Sequence, residues 1–123
     1  MTGTGDSAGG EEEVLAEAVQ LVLEGRVEEA VQLVSNYYGL KPPRVRVGLP
    51  KRCLKALGCY VPSKKTIYLR SSSEYMNPFI VMHELYHHIR YRMGRHRGTE
   101  QGADSFALKA INAWRKHYGV LER

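Results

Sequence analysis

From residue 11 onward the apolar positions fall at helical spacing. Val14, Leu15, Ala18, Leu21 and Val22 recur every three or four residues, and Val27, Ala30, Val31 and Val34 resume the pattern after Gly25. Glu11, Glu12 and Glu13 stand where the positive end of a helix dipole favours acids, and Gly39 stands where a helix running to Tyr38 would stop. The hexapeptide EAVQLV occurs at 17–22 and again at 29–34. Residues 11–38 therefore predict either a helical hairpin folded at Gly25 or one long helix weakened there. Two copies are too few for a self-standing repeat protein, so the duplication reads as packing material. The preceding MTGTGDSAGG is small, polar and Gly-rich, which predicts a disordered tail over 1–10.

After the helical region the period changes. Pro42 and Pro43 forbid helix, and Val45 and Val47 then alternate with Arg44 and Arg46, the pattern of a short strand. A short helical turn ending at Gly58, a strand near Tyr60, a turn over 62–65 and a strand TIYLR at 66–70 follow, the last two segments suggesting a hairpin. Helical spacing returns at Asn77 (N-cap) and Pro78 (first turn), runs to Met93 and stops at Gly94. Thr99 then caps a last helix reaching Tyr118 before Gly119. The fold class is α+β. It consists of an N-terminal helix or helical hairpin, a small, mainly antiparallel three-stranded sheet and two C-terminal helices, in one domain over 11–123.

Composition narrows the class. The 123 residues are 43% hydrophobic and 25% charged, as in an ordinary globular protein, and no apolar run approaches a membrane span. With no signal-like N-terminus, a cytoplasmic protein without membrane contact is the expectation. Charge is uneven: residues 1–29 hold eight acids against Arg26, a net of −7, whereas residues 30–123 hold seventeen bases against five acids, a net of +12. That asymmetry fits a nucleic-acid-facing half, an acidic helix lying against a basic body, or solvated faces. Cys53 and Cys59 match neither a redox motif nor a zinc-ligand spacing, so two partly buried free thiols are the simpler expectation. A disulfide is the alternative in a hyperthermophile, and the scarcity of Asn and Gln, three each, points toward a thermophile.

The chemistry concentrates in MHELYHHIRYRMGRHRGTEQGADSF, residues 82–106. On a helix His83 and His87 lie about 40° apart, one turn along one face. Met82, Leu85, Tyr86, Ile89 and Met93 form a separate core stripe, and His88 points away with Arg92 toward the polar flank. Two imidazoles at this spacing reach one metal ion, and Glu84 stands where it can touch a water on that metal but not the metal itself. HExxH alone is a weak signal, equally compatible with a surface His pair. The following helix supplies more. Glu100 and Asp104, also about 40° apart, sit at the edge of an apolar arc of Ala103, Phe106, Ala107, Ala110, Ala113, Trp114 and Leu121. Carboxylates there need strong partners. Glu100 as third ligand and Asp104 as acceptor of a histidine N–H would satisfy both; pairing with Arg90, Arg95 or Arg97 is the plainer alternative.

HELYH followed after twelve residues by EQGAD resembles the HExxH…ExxAD pattern of gluzincin metallopeptidases, and EQGADSFA is similar to the matching stretch of ImmA/IrrE-type peptidases. Chain length and element order resemble a minigluzincin, the single-domain form. The resemblance implies a zincin-like fold and one zinc held by His83, His87 and Glu100. It also implies Glu84 as general base and Asp104 orienting a ligand histidine, in a peptidase acting on peptide or protein substrates. Cobalt and manganese share such ligands. A further donor to the oxyanion is expected; Tyr91 is favoured by its wheel position, with Tyr75, His96 and His117 the other candidates. In the family an edge strand commonly takes substrate as an added strand, and residues 66–70 are the candidate here. Family and economy of sequence also suggest latency, with the N-terminal tail or GVLER at 119–123 covering the cleft. The short link between the motifs leaves room only for a tight helical hairpin. The competing readings are a nucleic-acid-associated regulatory module with a structural or vestigial zinc site, and a helical interaction protein.

Overall fold

The computed structural model describes residues 10–94, 96 and 98–119. Residues 1–9 and 120–123, and with them most of both tails considered for latency, lie outside that set, as does Leu121. Of the two readings for residues 11–38, the hairpin is observed: helix α1 spans Glu11–Leu23 and α2 spans Val27–Tyr37. Gly25 makes the break. At φ +81° it is left-handed, its N–H bonds to the Val22 carbonyl at 2.9 Å, and the Arg26 N–H reaches the Leu21 carbonyl at 2.8 Å. This pair of bonds is the Schellman termination that glycine favours. The two EAVQLV copies bury equivalent positions, Ala18, Val19 and Val22 in one and Ala30, Val31 and Val34 in the other, where α1 packs on α2.

Three strands follow: β1 (Arg44–Val47), β2 (Gly58–Val61) and β3 (Thr66–Leu69). The sheet is mixed, in the order β1-β3-β2, with β2 antiparallel and β1 parallel to β3. The link 48–57 carries the chain to the far side of β3, so only one of the two pairings is antiparallel. β3 is thus the central strand, hydrogen-bonded on both sides. That overturns the assignment of residues 66–70 as an edge able to accept a further strand. Gly58, expected to end a helical turn, instead begins β2; the turn, over Lys51–Cys53, lies earlier. Cys53 and Cys59 are joined in a disulfide, so the expectation of two free thiols is corrected.

Ser71 opens a short helix, α3 (Ser72–Tyr75), through a capping box with Glu74. Helix α4 spans Pro78–Gly94, with the Asn77 side chain accepting the Ile80 N–H at 3.2 Å. Helix α5 spans Glu100–Tyr118, with the Thr99 hydroxyl accepting the Gly102 N–H at 2.9 Å. The inner sheet face (Val45, Tyr60, Ile67, Leu69) meets Val81, Met82, Leu85 and Ile89 of α4 and Leu15, Val19 and Val22 of α1 in one core. Alanines at 103, 107, 110 and 113 let α5 approach closely, and α5 packs on both α1 and α4. Met93, assigned to the core stripe, is exposed near the end of α4.

The acidic N-terminal helix lies against the basic C-terminal one. Glu11 pairs with Lys109 at 2.5 Å, Glu12 accepts from Lys116 at 3.2 Å and lies 3.1 Å from His117, and the Trp114 indole N–H donates to Gln20 at 2.8 Å. Part of the charge asymmetry is therefore internal pairing. Among the described residues no helix is long and apolar enough to cross a membrane.

Candidate metal centre

The centre of α4 carries the first three groups. Because α4 is covered by β2 on one side and α5 on another, its middle is buried around more of its circumference than a single apolar stripe would be. Glu84, His87 and His88 are all buried, and His83 is nearly so. His83 and His87 stand on adjacent turns with ring centroids 5.1 Å apart.

Glu100 must come back along α4 to reach them. Gly94 lies seven residues beyond His87, about 10.5 Å of helix, and five linking residues span up to about 17 Å. The link is long enough to return, and Tyr86 fixes where it lands. A β-carbon at Gly98, itself at φ +74°, would lie 2.7 Å from the Tyr86 ring, and one at Gly102 would lie 2.3 Å from its hydroxyl oxygen. Only glycine at both places lets the chain fold over Tyr86. The start of α5 then sits beside the histidines.

The resulting geometry brings His83, His87 and Glu100 together, with one ligand atom from each within 4.8 Å of the others. His83 Nε2 is 2.9 Å from Glu100 Oε1, and His87 Nε2 is 3.1 Å from Glu100 Oε2. Tetrahedral zinc with bonds of about 2.0–2.1 Å separates its ligand atoms by about 3.3 Å. A His-His-Glu donor set at these spacings is therefore positioned to bind a metal ion. His83 Nδ1 lies 2.9 Å from Asp104 Oδ1. Asp104, a carboxylate, is placed to accept an Nδ1 proton, the tautomer in which Nε2 would offer its lone pair to a metal ion shared with Glu100. Both carboxylates are more exposed than their place beside an apolar arc suggested, at 64% for Glu100 and 55% for Asp104. They touch the histidines from the open side of the cleft.

Glu84 stands on the other side, its Oε2 3.9 Å from His83 Nε2. A cleft of about 260 Å³ passes over it, lined by Leu57, Gly58, Phe79 and Ile80 together with His83, Glu84, Glu100 and Asp104. Gly58 permits this approach: a β-carbon there would lie 2.9 Å from Ile80 and 3.2 Å from the Glu84 side chain. The disulfide closes the loop from Cys53 to Cys59 that forms this wall.

Tyr91, the favoured oxyanion donor, is not among the residues lining the cleft; it packs against the core. The other candidates also lie elsewhere. The Tyr75 hydroxyl faces Glu28 at 3.4 Å, His96 Nδ1 accepts the Gly98 N–H at 3.3 Å, and His117 meets Glu12. A wheel shows the face but not the height: Tyr91 lies within about 20° of Glu84 but about 10.5 Å further along α4, beyond the cleft.

His88 was expected on the polar flank and is instead buried. Its Nε2 lies 2.9 Å from the Lys41 carbonyl and its Nδ1 2.7 Å from the Tyr60 hydroxyl. A carbonyl only accepts, so Nε2 carries the proton, and burial depresses the His88 pKa. The neutral ring then accepts at Nδ1 from Tyr60, whose own pKa is pushed up to about 12 by burial. This bridge ties the site helix to β2 and to the segment before β1. Nothing in the HELYHH string marks His88 for that role, whereas two glycines spaced four apart beside HExxH were a readable sign of close helix approach.

Compared with known proteins, the chain matches no family model, and no curated protein or solved structure is significantly similar to it.

Proposed function

We propose that the protein is a zinc-dependent peptidase of gluzincin type, probing peptide or protein substrates through the cleft above Glu84. The observation that carries this reading is the convergence of His83, His87 and Glu100 within 4.8 Å, with a buried carboxylate alongside and Asp104 behind His83. Two α4 histidines, an α5 glutamate and an aspartate acting on a ligand histidine are more than an incidental His pair requires. They also match the HELYH and EQGAD pattern residue by residue.

Zinc held there supplies Lewis acidity toward a substrate carbonyl oxygen and lowers the pKa of a water to about 7. The chain's own groups do the rest. Glu84, packed with Ile80 against Gly58, takes a proton from the attacking water and delivers it to the departing amine nitrogen. Asp104 keeps the His83 ring in the tautomer and orientation the ligand role demands. The extended substrate lies along β2, the terminal strand that borders the cleft, rather than along central β3.

The test has two arms. Elemental analysis of purified protein is expected to give about one zinc per chain, lost in Glu100→Ala. Cleavage of unfolded casein is expected to be sensitive to chelator and abolished in Glu84→Gln with zinc content unchanged. No metal after reconstitution, or full cleavage by Glu84→Gln, would overturn the proposal.

A further inference from the structure

On the sheet face opposite the core, Arg44 and Arg46 of β1 stand beside Thr66 and Tyr68 of β3, as the register sets them. Lys41 precedes the first strand, and Lys64 and Lys65 form the turn into the third. Together these residues wall a groove of about 540 Å³ in which five of nine lining residues are cationic and none is acidic. Among the described residues no ion pair involves any of the five, although the N-terminal acids pair readily with α5 and with Arg26. Two features show a formed surface rather than loose charge. Lys65 sits at φ +48°, the left-handed region where glycine or asparagine costs least, yet it adds another cation to the rim. The Lys41 carbonyl accepts from buried His88 and the Lys64 carbonyl accepts from the Thr66 hydroxyl at 2.8 Å, so both rims are anchored through their backbones.

We infer that this groove binds single-stranded nucleic acid, with the cations on the phosphates and Tyr68 as a stacking platform for one base. Alternate residues of a strand are about 6.6 Å apart, so Arg44 and Arg46 can track two successive phosphates of an extended strand. Tyr68 is partly exposed directly across from Arg46 on the same face, the pairing of ring and cation that takes a base and its phosphate together. A groove serving only protein contacts would not need this uniform charge; an acidic peptide satisfies the charge but has no use for the ring. The function is separate from the peptidase reading and does not rest on it.

Fluorescence anisotropy with a labelled single-stranded twelve-residue DNA and RNA, the matching duplex and a labelled poly-glutamate peptide tests it on the full chain. Binding of the single strands at low salt is expected to weaken steeply with added salt. The exposed double variant Arg44→Gln/Arg46→Gln should flatten the log–log salt slope by about 1.4, from about 0.7 per phosphate contact. Tyr68→Ala should weaken single strands roughly tenfold with the slope unchanged, and Tyr68→Phe should restore them. Lys51→Gln/Arg52→Gln, with the same charge change outside the groove, should leave binding as it was. Circular dichroism melts confirm that the variants fold. No binding at low salt, equal loss in the Lys51/Arg52 control, indifference to Tyr68, or preference for duplex or poly-glutamate would each overturn the assignment.

Discussion

Replacing Gly102 by alanine tests whether close packing over Tyr86 places Glu100. Alanine in the first turns of a helix favours the helical state over glycine by about 1 kcal/mol, so propensity alone predicts a gain. Packing predicts a loss. The new β-carbon would lie 2.3 Å from the Tyr86 hydroxyl oxygen, 2.9 Å from the ring carbon bearing it and 3.0 Å from the Thr99 hydroxyl that caps α5. Tyr86 cannot swing toward Gly98, which already lies against the ring edge. Overpacking of this kind costs typically 1–3 kcal/mol, leaving a net destabilisation of about 1 kcal/mol, or a fall of roughly 3–6 °C in melting temperature. The same shift moves Glu100, two residues away, off the histidines, so zinc affinity measured by competition with a chromophoric chelator should fall. Tyr86→Phe removes the offending oxygen. In Gly102→Ala/Tyr86→Phe part of the stability and zinc affinity should return, the 2.9 Å approach to the ring carbon remaining, whereas Tyr86→Phe alone changes either little. A Gly102→Ala protein that melts higher than wild type and binds zinc equally well would refute the packing argument.

Further outcomes follow from other parts of the site. Gly58→Ala should leave zinc content intact while lowering kcat for casein cleavage, because its β-carbon presses on Ile80 and the Glu84 side chain; unchanged kcat would detach Gly58 from Glu84. Tyr60→Phe strips the donor from buried His88 Nδ1 and should cost about 1–3 kcal/mol in urea unfolding. His88 also shapes the pH dependence. Its folded pKa lies below the unfolded value of about 6.5, so the unfolded chain takes up the proton first. Stability is therefore full above about pH 6.5 and declines as pH falls toward the folded pKa. His88→Gln should flatten that decline in urea midpoints measured from pH 7 to 5. The disulfide closes a short loop, and the chain-entropy relation for about seven residues gives about 2 kcal/mol; Cys53→Ser/Cys59→Ser should lose that much, and thiol titration of the unfolded, unreduced wild type should find no free cysteine.

How far the chain could be read from its letters depends on which distances are local. His83 and His87 are one helical turn apart whatever surrounds them, and Glu100 and Asp104 repeat that spacing, so the groups of the candidate metal site were legible once two helices were assigned. The helix ends were legible for the same reason: Asn77 and Thr99 act on N–H groups only a few residues away. Even the small α3 had a local mark, since Ser71 and Glu74 stand at capping-box spacing. Non-local choices were not legible. Strand order depends on where the link 48–57 crosses, and both sides of β3 offer equivalent backbone groups, so the edge strand beside the cleft was assigned to 66–70 when it is β2. His88 exposes the same limit from another side. A helical wheel assumes one buried stripe, but α4 has β2 and α5 as separate neighbours, and a histidine outside the main stripe meets Tyr60 and the Lys41 carbonyl. The candidate metal site thus rests on two kinds of information: ligand spacing written into each helix, and the close approach of the helices, carried by Tyr86 fitting over Gly98 and Gly102. The first survives any arrangement of the two helices; the second exists only when they pack, which is why Gly102→Ala probes the fold and the metal together.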